Sequence, residues 1–368
     1  MCALLLLLAG FGTARSADSP VSAAREPPIG HVFLILLENE PFARTFGPES
    51  PAPYLARVLA PAGALLRRYY AIGHSSLPNY VALISGQAPN PATQLDCPQY
   101  VDFRPVPPRF GPYGQALGAG CVYPWQVRTL ADQLEATGRT WKGYMEDMGR
   151  DPRRESGTCG HSRLGATESL LEATPADAYA VKHDPFMYFH SIIDERARCA
   201  AHVVNLAQLA VDLQHLATTP QYVFITPNLC HDGHDAPCAS GEAGGLAAAD
   251  DFLRRWVPSI LQSAAYQRDG LLIITFDEAA GSDAETVAAC CGERPLLGTR
   301  EPPGIAGPGG GRVGAVLLSR RIRPGTVSDV PYNHYSLLRS VERLFGLPLL
   351  GYAGAADLKA FGADVFAR

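Results

Sequence analysis

No block of like charge interrupts these 368 residues; only 18% of them are charged, and the net charge is -5. A nucleic-acid partner, or an anionic membrane surface held by basic clusters, has no footprint here. No Cys-x-x-Cys pair occurs, which sets aside a cysteine-ligated zinc. The apolar run at residues 3–12 is too short to span a bilayer, so no stable membrane insertion is expected. The glycines at 307–311 do not lie between a strand and a helix, so they read as a loop and not a P-loop. No internal repeat and no domain linker is visible. With 47% hydrophobic residues, the chain has ample material for one large core.

What the short apolar run does fit is a secretory signal, although a basic segment ahead of it is missing. Residues 1–24 are read as that signal and residues 25–368 as one domain, and the expected location is secreted. Cysteine usage agrees with export. There are nine. Without Cys2 an even set remains: Cys97, Cys121, Cys159, Cys199, Cys230, Cys238, Cys290 and Cys291. These are expected to be paired as disulfides. The sequence does not choose the pairing, but Cys290 and Cys291 are adjacent and are expected to bond to different partners.

Residues 31–37 (HVFLILL) and 271–276 (LLIITF) are continuous apolar runs, typical of strands buried on both faces. Strand patterns also occupy 67–72, 141–145, 221–226 and 313–319. Helical patterns cover 52–64, 125–138, 203–216, 335–345 and 244–265, the last with an interruption at Pro258. The alternation predicts an α/β fold: a single domain with a largely parallel central sheet and helices on both faces. Residues 89–124, rich in Pro, Gly and aromatics, read as an irregular insertion pinned by disulfides and walling a substrate pocket.

The reactive side chains gather at element ends. His74-Ser75-Ser76-Leu77-Pro78-Asn79-Tyr80 leads into an apolar run closed by Gly86, a short buried helix with its stop. A hydroxyl at that entrance, Ser76, serves as an N-cap or as a nucleophile with the positive helix end behind it, suited to an anionic group. On these seven residues alone the cap is the commoner meaning. Glu38 and Asn39 end the first buried run, and Asp277 and Glu278 end the second. In open α/β sheets, ligands bind outside the carboxyl ends of strands. Crowded acids repel one another, and a divalent cation between them removes that cost. After the strand at 221–226 come Asp232, His234 and Asp235, ligand types suited to the same kind of ion. His334 stands at another helix entrance. His183 lies in an aromatic loop, where a lone histidine is more often structural.

Assembled, these pieces resemble the phosphoesterase family of bacterial secreted acid phosphatases and phospholipase C enzymes, in the alkaline phosphatase superfamily. The matching stretches are HVFLILLEN, HSSLPNY with its following LISG, PNLCHDGHD, LLIITFDE and YNHYSLLRSVERLFGLP. They run in order from about residue 31 to the C-terminus. Some of the short secreted acid phosphatases in this family act on phosphoinositides. Ser76-Leu77-Pro78-Asn79 is also similar to the Thr-x-Pro-Asn motif of nucleotide pyrophosphatase/phosphodiesterases. The resemblance implies an alkaline-phosphatase-like fold, Ser76 as the attacking hydroxyl and Asn79 on a phosphoryl oxygen. It also implies a divalent metal ion on Glu38, Asn39, Ser76, Asp277 and Glu278, with Asp232 and Asp235 as further ligands. KHDPF is similar to the family's KHxP, which makes His183 a phosphate contact. Relatives with two zinc ions use Asp-His where this chain has Asp277-Glu278, and one Asp where it has Glu38-Asn39. The oxygen-rich set here suits Ca, Mg or Mn beside the family's Zn.

The implied reaction is hydrolysis of phosphate monoesters through a phosphoserine, on a small phosphorylated substrate or a phospholipid headgroup. A bound cation would help Ser76 lose its proton. His74 and Asn79 would hold non-bridging oxygens, and His234 or His334 would protonate the leaving oxygen or activate water. A phosphodiesterase or phospholipase C is the alternative that the same nucleophile would serve. A secreted binding protein with a structural Ca needs neither the hydroxyl nor the histidines.

Overall fold

The computed structural model describes residues 28–281, 283–293 and 307–366. The segment read as a signal and Cys2 lie outside them. Among the described residues, eight strands form one sheet: β1 (His31–Leu37), β2 (Ala64–Leu66), β3 (Trp141–Met145), β4 (Val203–Asn205), β5 (Tyr222–Thr226), β6 (Gly270–Phe276), β7 (Ala315–Ser319) and β8 (Thr326–Ser328). Their spatial order is β8-β2-β7-β6-β1-β5-β3-β4. Only β7 runs against its neighbours; the other pairings are parallel. Every residue of β1, β5 and β6 is buried. That is the pattern of strands covered by helices on both faces, and it explains why their sequences do not alternate. The chain has the α/β fold with a largely parallel sheet that its strand–helix alternation predicts.

Register carries the chemistry to one edge. β1 and β6 pair from His31↔Gly270 to Leu37↔Phe276. The next residues, Glu38 and Asp277, therefore emerge side by side, and the Asp277 N–H donates to the Leu37 carbonyl at 2.8 Å. On the other side of β1 lies β5. The loop after it reaches the same edge, where the Glu38 N–H donates to the Asp232 carbonyl at 2.9 Å.

Several expected elements differ. The helix expected at 203–216 begins as β4, because the paired valines extend the sheet edge beside β3; the helix is only Ala207–Asp212. The long helix Gly245–Gln262 passes through Pro258 unbroken, and the break falls at Ser263, whose side chain caps the next helix. Of the strand expected at 67–72, Tyr69–Tyr70 pairs with Tyr332–Asn333, outside the main sheet. The insertion at 89–124 is pinned by Cys97–Cys121 and holds a hairpin, Arg104–Phe110 with Ala116–Ala119. All eight cysteines among the described residues are bonded, the other pairs being Cys159–Cys199, Cys230–Cys238 and Cys290–Cys291. The adjacent cysteines thus bond to each other and not to different partners, since the other six are satisfied among themselves. No helix among the described residues is long and apolar enough to cross a membrane.

Candidate active site

The helix Ser76–Ser85 is buried along its whole length and ends at Gly86, whose φ of 66° is the left-handed stop that glycine accommodates. Ser76 is its first residue and not its cap. The residue before it, Ser75, has φ 70° and donates its hydroxyl to the Gln94 carbonyl at 2.9 Å. The Ser76 hydroxyl is therefore free of the helix backbone and donates to Glu38 Oε2 at 2.8 Å. Asp96 Oδ1 accepts from the Leu77 N–H at 2.9 Å, satisfying an amide at the helix start.

Asn79 does a different job from the one expected. Its Oδ1 accepts from the Ile72 and Gly73 N–H groups at 2.9 and 3.1 Å. Its Nδ2 donates to the Gly73 and Ser75 carbonyls at 2.7 and 3.0 Å. The amide is fully used in holding the turn that presents Ser76, which leaves no donor for a phosphoryl oxygen.

Glu38 is the hub. Its Oε1 accepts from the Tyr80 hydroxyl at 2.6 Å, and its Oε2 accepts from Ser76 and, at 3.5 Å, from Asn39 Nδ2. His183 lies between two acids, with Nε2 3.3 Å from Glu38 Oε2 and Nδ1 3.5 Å from Asp232 Oδ2. Neither approach has hydrogen-bond geometry, so both ring nitrogens are buried without a partner. The ring stacks on Tyr80 at 5.1 Å. Asp277 Oδ1 accepts from the Asn39 and Glu278 N–H groups at 3.0 and 2.6 Å, and its Oδ2 has no partner. Glu278 Oε2 meets His74 Nδ1 at 2.6 Å, leaving His74 Nε2 buried and unpartnered.

Glu38, Asp232 and Asp277 are fully buried and Glu278 nearly so. Burial pushes all four carboxyls upward. The negative charge of Glu38 adds to the rise at Asp232 and Asp277, and that of Asp277 to the rise at Glu278. Burial, with Lys182 alongside, lowers His183 to about 3. Lys182 itself is held 3.6 Å from Asp96 Oδ2. A buried polar atom left without a partner costs kilocalories, roughly 1–3 kcal/mol in proteins. Here Asp277 Oδ2, Asp232 Oδ2 and the His183 nitrogens are all in that condition. Such a set fits a divalent cation, and its oxygen-rich donors fit a hard one.

Other expected residues are engaged by neighbours or stand at the margin. His334 is buried with both nitrogens engaged: Nδ1 with the Tyr69 hydroxyl at 2.9 Å and Nε2 with the Asp277 carbonyl at 2.6 Å. Burial lowers it to about 4. It is a neutral clamp that donates from Nε2 to the Asp277 carbonyl, with neither nitrogen free to exchange a proton with a substrate. Asp235 pairs with His234 Nδ1 at 3.0 Å, and the His234 side chain is 45% exposed. That pairing raises the His234 imidazole despite partial burial. Cys230, His231 and Glu242 bring ligand atoms within 4.8 Å of one another. The Cys230 sulfur is already bonded to Cys238, so no thiolate is available there. Tyr80, Tyr69 and Asp96 were not anticipated. Tyr80 had a readable signal, since it stands four residues after Ser76 on the same helix face; the other two had none.

The family model that describes the Phosphoesterase family matches residues 51–348. The chain belongs to the phosphoesterase family. The phosphate-repressible acid phosphatase of Penicillium chrysogenum is 26% identical over 333 residues, covering 90% of this chain and 63% of that one. The chain thus spans about three-fifths of the length of such fungal relatives. The phosphatidylinositol-3-phosphatase of Mycobacterium tuberculosis is 25% identical over 333 residues, covering 90% of this chain and 82% of that one. Among solved structures, a protein in the alkaline phosphatase superfamily from Vibrio parahaemolyticus superposes with a TM-score of 0.51 at 12% identity. That match covers 88% of this chain and 68% of that one, and it is a likeness of fold.

Proposed function

We propose that this phosphoesterase-family chain is a secreted, metal-dependent phosphatase that hydrolyses phosphate monoesters through a phosphoserine on Ser76, its catalytic domain being residues 25–368. The observation that carries the reading is the Ser76 hydroxyl. It opens a buried helix and donates to Glu38 at 2.8 Å, at a sheet edge where Asp277 and Asp232 each keep an oxygen without a partner. The names of the fungal and mycobacterial relatives support a phosphatase, and the latter supports phosphoinositide headgroups among its substrates.

Glu38, Asn39, Ser76, Asp277 and Glu278 would hold the cation, with Asp232 behind them and Asp235 at the rim. Such an ion would make the Ser76 proton easier to lose and would offset phosphoryl charge. The remaining work belongs to the chain. Asn79 fixes the turn that aims Ser76. Glu38 Oε2 is the acceptor already facing the Ser76 proton. His74 Nε2, buried and unpartnered, is the donor placed for a non-bridging oxygen, and His183 is the second phosphate contact. His234, partly exposed and made more basic by Asp235, is an imidazolium in mild acid. It protonates the leaving oxygen at the mouth of the site, a role that His334 cannot share.

Turnover of p-nitrophenyl phosphate, bis(p-nitrophenyl) phosphate and p-nitrophenyl phosphorylcholine, with and without a chelator, tests this. The monoester is expected to be hydrolysed fastest and to lose that advantage on chelation. Preference for the phosphorylcholine ester would assign a phospholipase C activity instead. No turnover of any ester would overturn the proposal.

A further inference from the structure

Three of the four disulfides close loops, with their cysteines 8, 24 and 40 residues apart. The fourth joins neighbours and closes none. A cross-link stabilises chiefly by shortening the unfolded chain, by an amount that grows with loop length. Cys290–Cys291 therefore contributes next to nothing to global stability, and its effect is local. It is also the one pair with neither half buried: Cys97, Cys121, Cys199, Cys230 and Cys238 are all buried, whereas Cys290 and Cys291 are both partly exposed. Accessible disulfides are the ones that thiols attack.

The segment that carries this pair leans on the candidate active site from two sides. On one side, Gly310 packs against the Gly73 carbonyl, next to His74, and Gly311 against the Thr286 carbonyl. Gly310 and Gly311 link the same segment to the turn before His74, through Gly310 N–H to the Ala71 carbonyl at 3.3 Å and Gly311 N–H to the Ala288 carbonyl at 3.0 Å. Cys291 packs against the small apolar cluster that contains Ile72, whose N–H is one of those that Asn79 holds. On the other side, Cys290 Sγ lies 3.2 Å from the Tyr332 carbonyl. The Cys291 N–H donates to Glu293 Oε2 at 3.1 Å, and Glu293 Oε1 accepts from Asn333 Nδ2 at 2.9 Å. Asn333 caps the His334 helix through the Ser336 N–H at 3.0 Å, and His334 clamps the Asp277 backbone. One strip of chain thus supports both the His74 turn and the helix entrance behind Asp277.

We propose that Cys290–Cys291 is a redox-modification site through which a dithiol reductant lowers turnover at the Ser76 site. One thiolate of the reductant attacks either sulfur, the S–S bond breaks, and the departing cysteine thiolate takes up a proton. The second thiol then resolves the mixed disulfide, leaving Cys290 and Cys291 as two thiols and the reductant as its disulfide. The freed segment no longer holds Gly310 against Ala71, beside the His74 turn, or Glu293 against Asn333. Because the activity that is lowered is the phosphatase reading above, the inference rests on that reading.

The test uses the intact, metal-loaded protein under native conditions with graded dithiothreitol, followed by alkylation and peptide mass mapping. Hydrolysis of p-nitrophenyl phosphate and hydrogen exchange are followed in parallel. Cys290 and Cys291 are expected to be alkylated before any other cysteine. At that point exchange should rise at residues 71–74 and 332–336, and turnover should fall by about fivefold or more, the lower end of a usual coupling between sites. Re-oxidation should restore turnover, and added metal should not. A Cys290→Ser/Cys291→Ser variant should show the low rate throughout and ignore the reductant. An inactive untreated enzyme would count against the phosphatase reading. An active enzyme with Cys290 and Cys291 reduced, and neither rate nor exchange changed, would overturn the redox site. So would reduction of any other pair first, or recovery on adding metal alone.

Discussion

The Tyr80 hydroxyl donates to Glu38 Oε1 at 2.6 Å, one helical turn beyond the serine that donates to the other oxygen of the same carboxylate. Both oxygens of a buried acid are thus oriented from one helix, and the acid is fixed where β1 ends. Removing the phenol hydroxyl strands one of them. Tyr80→Phe is expected to lower the unfolding free energy of the chelator-treated protein by about 1–3 kcal/mol, the usual cost of an unsatisfied buried partner. The loss should shrink when a divalent cation is supplied. Urea unfolding of both proteins, with and without cation, measures it; equal stability in both conditions would show that Tyr80 does not support Glu38.

Metal removal should act on the whole molecule. Without a cation, burial pushes all four buried carboxyls upward, and the charge of Glu38 adds to the rise at Asp232, Asp277 and Glu278. A cation at about a hundred times its dissociation constant should stabilise the fold by ~2.7 kcal/mol. Asp277→Asn should weaken that effect more than Asn39→Ala, because it removes a formal charge from the hard-ion donors. Metal analysis of the purified protein, with thermal melts in chelator and in Mg, Ca, Mn or Zn, decides the matter. Absence of metal together with melts indifferent to all of these would leave the carboxylates without this explanation.

A buried acid outside the site gives a separate dependence on pH. Glu342 accepts from the Leu350 N–H at 2.8 Å with one oxygen and has no partner for the other. Burial pushes its carboxyl from 4.5 up to about 9. A raised folded value means that the native state keeps a proton that the unfolded chain releases. Its contribution is therefore full below about pH 4.5 and is lost as pH climbs toward 9, by at most ~1.4 kcal/mol per pH unit. Glu342→Gln should match wild type near pH 4 and exceed it in stability at pH 8. Denaturant melts across that range measure the difference, and parallel curves for the two proteins would contradict it.

The strands that build the site were legible because they are extreme. Continuous apolar runs at residues 31–37 and 271–276 can only be central, and whatever follows them must lie at one edge. Glu38 and Asp277 follow them, so their meeting is readable in the sequence. Val203 and Val204 were misread because an edge strand of three residues carries no periodicity against a helical background. Asn79 and His334 sit where motifs place them, but their tasks depend on backbone groups that no motif records: the Ile72 and Gly73 amides and the Asp277 carbonyl. The bond between Cys290 and Cys291 follows from the geometry of six other cysteines, which the spacing in sequence does not encode.

Ser76→Ala puts the central claim to the most direct test. Turnover of p-nitrophenyl phosphate by the purified, metal-loaded variant is measured beside its thermal melt. The hydroxyl is not a helix cap, so the melt should stay close to wild type, while turnover should fall by roughly a thousandfold or more, as expected when a nucleophile is lost. Activity within about tenfold of wild type in a folded variant would contradict the assignment of Ser76.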